Sequence, residues 1–204
     1  MASLELFYDF TCPYAFLAST QVEELAERAG ADLIWRPMFL GGVFRALYGE
    51  AAIPRPPAAK IRNIKRDLQR WAQHWGVSCT YPEGHPQRSA DALRAVLAAP
   101  EHAAAISHRV YAAYWREGLD IGDRGVLASL LADAGVDAEA ILELVAGKAI
   151  RDQLRADTDE AVRRGVFGAP TFFIDGEHMV WGQDRLPFVE RMLTGWRPEG
   201  GAHV

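Results

Sequence analysis

Residues 8–15 read Tyr8-Asp9-Phe10-Thr11-Cys12-Pro13-Tyr14-Ala15, and these eight positions decide the fold. Upstream, Leu4 to Phe10 is a run of aliphatic and aromatic side chains interrupted by Glu5 and Asp9, the pattern of a buried strand. Downstream, Tyr14, Leu17, Ala18, Val22, Leu25 and Ala29 recur at steps of three or four, which predicts one amphipathic helix. Thr11 or Cys12 takes the cap, Pro13 is accommodated in the first turn, and Gly30 ends the helix. Leu33 to Pro37 supplies a second short strand. Strand, helix and strand in so short a span favour a parallel pair.

Cys12 therefore stands at a strand-to-helix junction. A thiolate there meets unpaired backbone N–H groups and the positive end of the helix dipole, which predicts a thiol pKa below the free value of about 8.5. The competing reading is a buried cysteine acting as a small hydrophobe. Position alone leaves both open.

Farther along, residues 41 to 165 are helical in period and punctuated by Gly and Pro. The clearest helix runs from Ala58 to Trp75, with Ile61, Ile64, Leu68, Trp71 and Trp75 on one apolar stripe. Lys60, Arg62, Lys65, Arg66 and Arg70 lie mostly off it and read as a solvated face, while Trp71 and Trp75 read as core. Further helices are expected near 88–98, 101–116, 123–134, 137–146, 147–155 and 157–164; residues 49–57 and 80–86 read as loops. Strand character returns at Thr171 to Ile174, then an Asp175-Gly176 turn, then Glu177 to Trp181, a β-hairpin signal. A last helix is expected over 184–193 with Asp184 as its cap.

The chain has 204 residues, with 22 Lys and Arg against 27 Asp and Glu, for a net charge of -5. That sign argues against a general nucleic-acid or anionic-membrane binder. Two cysteines, Cys12 and Cys79, make no disulfide framework. The start of the chain lacks the basic and apolar regions of a signal peptide, and no run of about 18 apolar residues predicts a membrane span. A cytoplasmic location is the expectation, with thiols kept reduced. His74, His85, His102, His108 and His178 show no metal spacing, so no metal is expected. Gly41-Gly42 completes no nucleotide-binding loop.

Gly168-Ala169-Pro170-Thr171 precedes the hairpin. An X-Pro bond is ordinarily trans. Paired with a Cys-Pro helix start in a β-α-β … β-β-α chain, however, Pro170 fits the thioredoxin layout, where a cis-proline loop packs beside the active-site cysteine. Residues 8–15 are similar to the active-site segment of the DsbA-like thioredoxin superfamily. Within it the chain most resembles 2-hydroxychromene-2-carboxylate isomerases and kappa-class glutathione transferases. The supporting motifs are Arg36-Pro37-Met38-Phe39-Leu40-Gly41-Gly42-Val43-Phe44, Asp67-Leu68-Gln69-Arg70-Trp71, and Gly165 to Phe173 continued by Trp181-Gly182-Gln183-Asp184-Arg185. The resemblance spans residues 4–193.

It implies an α/β fold: a thioredoxin-like sheet from residues 1–40 and 161–197, an all-helical insertion over 41–160, and a tail from 198. It also implies glutathione as cofactor, an aromatic-derived acid as small-molecule substrate, no nucleic acid or membrane partner, and a homodimer. Cys12 would be catalytic. Ala169 and Pro170 would pair with the cysteinyl backbone of glutathione in strand-addition fashion. Gln183 and Asp184 would take the γ-glutamyl end, Asp184 serving as cap, as ammonium partner, or as both. Lys60 would meet the glycine carboxylate.

Three departures qualify the resemblance. DsbA-like oxidoreductases carry Cys-x-x-Cys, but the fourth position here is Ala15, so no neighbouring thiol can release a mixed disulfide at Cys12. The isomerases and kappa transferases usually carry serine where this chain has Cys12; the sulfur can donate S–H to the glutathione thiolate or become the thiolate itself. A frequent asparagine in the following loop is replaced by Glu50-Ala51. The leading expectation is a glutathione-dependent isomerase of the 2-hydroxychromene-2-carboxylate type. The alternatives are a single-cysteine thiol oxidoreductase or glutathione transferase/peroxidase using Cys12, and a non-enzymatic scaffold that binds a partner through its helical insertion.

Overall fold

A computed structural model describes residues 2–49 and 57–198; residues 50–56 of the loop expected over 49–57, the Glu50-Ala51 departure and the end of the tail lie outside the described residues. The chain runs β1 (Ala2–Tyr8), α1 (Pro13–Ser19), α2 (Val22–Ala29), β2 (Ala31–Pro37), α3 (Leu40–Tyr48), α4 (Ala58–His74), α5 (Ala90–Ala98) and α6 (Ala103–Trp115). It continues with α7 (Arg124–Asp133), α8 (Ala138–Ala146), α9 (Lys148–Arg163), β3 (Thr171–Ile174), β4 (His178–Trp181) and α10 (Leu186–Leu193). One mixed sheet has the order β2-β1-β3-β4. As the short connection predicts, β1 and β2 are parallel; β3 runs antiparallel to β1, and β4 antiparallel to β3. Both chain ends thus build one thioredoxin-like sheet, and the helices α3 to α9 are inserted between its halves. The hairpin turn has φ of 55° at Asp175 and 73° at Gly176, the paired positive values that a tight Asp-Gly connection uses.

Several boundaries differ from expectation for visible reasons. The single helix expected over 13–29 is two, broken at Thr20-Gln21, where the Ser19 and Thr20 hydroxyls donate to the Phe16 and Leu17 carbonyls at 2.7 and 2.8 Å. Hydroxyls there offer the backbone a local alternative to continued helix. The two helices expected at 147–155 and 157–164 are one, because Thr158 turns its hydroxyl onto Leu154 O at 2.7 Å within the helix. The helix α3 had no distinct sequence signal, since it opens with Gly41-Gly42. Those glycines make room: a Cβ on Gly41 would sit 3.0 Å from Phe39 Cζ, and one on Gly42 would sit 3.0 Å from Thr158 Cγ2. The last helix starts at Leu186, after a 3-10 turn at Gln183–Arg185, and Asp184 makes no capping bond.

The core joins sheet to insertion through aromatic side chains. Phe10 packs edge-on against Tyr111 at 4.9 Å between ring centroids, and Phe16 stacks on Trp115 at 6.1 Å. Each such pair adds about 0.5–1.5 kcal/mol beyond its area burial. Polar tips are satisfied inside this cluster: Trp115 Nε1 donates to Phe10 O at 2.8 Å, and Tyr8 Oη pairs with Ser107 Oγ at 2.6 Å. On the sheet surface, Glu5 meets Arg36 and Arg164, which both also meet Glu160, so charge ties β1 and β2 to α9.

Trp115→Phe keeps the ring packing but leaves the buried Phe10 carbonyl without its donor. A loss of about 1–3 kcal/mol in urea unfolding is expected. A change below about 0.5 kcal/mol, the range of a neutral surface substitution, would contradict the role given to this bond.

Candidate functional site

The site begins with the turn that leaves β1. Asp9 is 1% exposed, yet its carboxylate is well served. Its Oδ1 accepts from Thr11 N and Thr11 Oγ1, both at 2.9 Å, and its Oδ2 accepts from Leu40 N at 2.9 Å. Burial pushes the Asp9 carboxyl up, and the N–H groups of Thr11 and Leu40 pull against that. Asp9 O also accepts from Cys12 N at 3.0 Å. One residue thereby shapes the cysteine turn and anchors the start of α3.

Cys12 is the N-cap of α1, with extended backbone and Pro13 in the first turn, and its side chain makes no capping bond. Its sulfur instead donates across the molecule to Ala169 O at 3.1 Å. The Ala169-Pro170 bond is cis. The cysteine and the proline loop, 157 residues apart in sequence, are therefore brought together as the thioredoxin layout implies.

The depressed thiol pKa expected from the helix terminus is not found. Burial pushes Cys12 up to about 12, while the N–H groups of Ala15 and Tyr14 pull it down and nearby Asp9 pushes it further up. Cys12 is only 7% exposed, and desolvation of the anion outweighs the helix terminus. Burial therefore favours the thiol over the thiolate at this position. The backbone at Ala169 is enclosed. Ala169 is 8% exposed, Pro170 is buried, and the Ala169 carbonyl already holds the Cys12 S–H.

The other sequence-derived residues divide. Gln183 is buried, and its Oε1 accepts from Trp75 Nε1 at 3.0 Å. Trp75, read as core, thus links the end of α4 to the turn before α10. Tyr14, two residues after Cys12, donates its hydroxyl to Asp67 Oδ2 at 2.9 Å. These two bonds make α4 one wall of the site. Asp184 is partly exposed and pairs with Arg185. Lys60 is exposed in the first turn of α4. It lies on the same helix face as Asp67 but about 10 Å along the axis from it.

Sequence reasoning missed an aromatic rim. Phe167 and Trp181 lie 5.1 Å apart between centroids and are 40% and 42% exposed, flanking the proline loop. The hairpin register sets Trp181 opposite Thr171, which no short-range pattern could reveal. A Cβ on Gly168 would come within 2.8 Å of Trp181 Nε1, so this glycine is what seats the ring. Cys79 is a second free thiol, half-buried and pushed up to about 11. Among the described residues no group of three His, Cys, Asp or Glu side chains could hold a metal, and no helix is long and apolar enough to cross a membrane.

A cysteine at the N-cap position of the first helix, facing a cis-proline at the end of a mixed four-stranded sheet, defines a thioredoxin-fold protein with a helical insertion. Residues 3–194 match the model of the DSBA-like thioredoxin domain, and the chain belongs to that family. It is 30% identical to a 2-hydroxychromene-2-carboxylate isomerase of Sphingobium xenophagum, covering 94% of this chain and 97% of that one. It is 28% identical to glutathione S-transferase kappa 2 of Caenorhabditis elegans, over 94% of this chain and 91% of that one. A solved 2-hydroxychromene-2-carboxylate isomerase superposes with a TM-score of 0.83 at 28% identity, covering 94% of both chains.

The thiol assignment sets a pH dependence. Alkylation of Cys12 by iodoacetamide, followed by mass spectrometry in a Cys79→Ser background, should keep accelerating up to about pH 10, because only the thiolate reacts. A plateau near pH 8 would mean that the helix terminus, not burial, controls the sulfur.

Proposed function

We propose that the protein is a glutathione-dependent isomerase of the 2-hydroxychromene-2-carboxylate type, acting on an unsaturated aromatic-derived acid. The observation that carries this reading is the buried sulfur of Cys12 at the N-cap position of α1, held as a donor to Ala169 O at 3.1 Å. A thiol there is a hydrogen-bond donor at neutral pH, the part a serine hydroxyl would play at that position. A redox role asks for the opposite, a ready thiolate with a resolving neighbour. Burial works against the first, and Ala15 occupies the place of the second.

The donor set suits glutathione. Cys12 would donate S–H to the bound thiolate, and the Tyr14 and Ala15 N–H groups that already favour a charged sulfur at Cys12 would help localise that negative charge. Ala169 and Pro170 would hold the cysteinyl backbone once the Ala169 carbonyl exchanges its present S–H partner for an amide. Gln183, fixed by Trp75, and Asp184 would take the γ-glutamyl end, with Arg185 competing for the Asp184 carboxylate. Lys60, exposed at the start of α4, would reach the glycine carboxylate from the rim. Bound glutathione supplies a thiolate whose reversible addition makes the substrate double bond rotatable until elimination restores it. The exposed Phe167–Trp181 pair offers a flat apolar surface for the aromatic part of the substrate. The donor role needs a reduced sulfur, which fits a cytoplasmic location. The homodimer implied by the resemblance belongs to the same proposal and is read by light scattering.

The decisive assay follows the ultraviolet spectrum of 2-hydroxychromene-2-carboxylate with and without glutathione. Cys12→Ser, which keeps a donor, should retain turnover within about tenfold, whereas Cys12→Ala should lose on the order of 10²-fold or more, as expected for removing an anion-stabilising donor. Intact-mass spectra at neutral pH should show no glutathione adduct. Turnover abolished in the serine variant, together with an adduct on the wild type, would replace isomerisation by thiol redox chemistry. Absence of any glutathione-dependent spectral change would remove the assignment.

A further inference from the structure

A groove of about 510 Å³ runs between α3, α5 and α9, and neither Cys12 nor the proline loop lines it. Four guanidinium groups converge on it: Arg45 from α3, Arg94 from α5, and Arg151 and Arg155 from α9. This is a concentration of positive charge in a chain whose net charge is -5. The groove also holds Asp152 and Asp159, but Asp152 is already engaged by Lys148. Arg94 gives one nitrogen to Asp91 at 2.7 Å, while its enclosed Nε has no acceptor among the described residues. Arg45, Arg151 and Arg155 have no carboxylate within 4.0 Å among the described residues. Arg151 and Arg155 also act on Asp152, so the groove carboxylates offset part of the positive charge, and an anion shared between the guanidinium groups relieves the repulsion that remains.

Apart from Thr158, the remaining lining is apolar. Phe39 and Leu154 contribute side chains, and Gly42 and Ala46 leave room between them. Phe39 is held in place from its backbone, which donates to Thr158 Oγ1 at 3.0 Å. Guanidinium forks above an apolar floor match a ligand whose acidic groups are carried on a flat hydrocarbon frame.

We infer that the groove between α3, α5 and α9 binds a small organic dianion on an apolar frame, with an aromatic dicarboxylate as the matching chemistry. The site is independent of the reaction assigned to Cys12.

Phthalate is the probe, titrated into the full-length protein at low salt by calorimetry, with amide chemical shifts recorded in parallel. One saturable site is expected, with shift changes concentrated in α3, α5 and α9. Arg151 and Arg155 are exposed, so Arg151→Gln combined with Arg155→Gln should leave the melting temperature unchanged and weaken phthalate at least about tenfold. Cys12→Ser should bind phthalate like the wild type, and inorganic phosphate, which has charge but no frame, should bind more weakly. The inference is overturned by no saturation up to about 10 mM phthalate, beyond the millimolar limit of weak specific binding. It is equally overturned if the double variant binds undiminished, or if phosphate binds as tightly as phthalate.

Discussion

The carboxylate of Asp9 is the point on which the site depends. It is buried, and a buried carboxylate is tolerated only when its oxygens are supplied with donors. Three donors from two separate segments meet that need: Thr11 N, Thr11 Oγ1 and Leu40 N. The first two fold the chain into the turn that presents Cys12 at the start of α1. The third pins the first residue of α3, the entry to the helical insertion. Removing the carboxylate would release both at once, so the geometry of the cysteine and the attachment of the insertion rest on one side chain.

Magnitudes explain why burial favours the thiol form of Cys12. A helix terminus favours a nearby charge by about 0.3–1 kcal/mol, up to about 2 in favourable geometry, whereas one pKa unit corresponds to about 1.36 kcal/mol. The terminus alone therefore supplies a unit or so. Enclosing an ionisable group can cost about 3–5 units. Cys12 is almost fully enclosed, its sulfur already has an acceptor in Ala169 O, and Asp9 lies close enough to disfavour a second negative charge. In this setting the sulfur resembles a hydroxyl more than the reactive thiolate of a dithiol oxidase, and Ala15 points the same way.

Around the sulfur, the insertion contributes more than bulk. The α4 helix is tied to α1 by Tyr14 and Asp67, and to the turn before α10 by Trp75 and Gln183. Those bonds satisfy buried or half-buried polar groups that would otherwise be costly. They also make a helix from the insertion into a wall of a site whose other parts come from the thioredoxin-like sheet. The aromatic pair Phe167 and Trp181 lies beside the proline loop, seated by the absence of a side chain at Gly168.

The sequence by itself determined the elements whose signals are local. The strand before Asp9, the helix cap at Cys12, the parallel return at β2 and the Asp175-Gly176 hairpin each follow from periodicity, turn chemistry or a short connection. The order of motifs then indicated the fold and the pairing of Cys12 with Pro170. Features set by contacts distant in sequence could not be read this way. The α3 helix exists despite two glycines because Asp9 and Thr158 hold its start and Phe39 fills the space above them. Trp75 and Trp181 gained their places only when α4 met the turn at Gln183 and β4 found its register on β3. The charge state of Cys12 was decided in the same manner, since dipole and cap are written in the local sequence, but desolvation depends on everything packed around the sulfur.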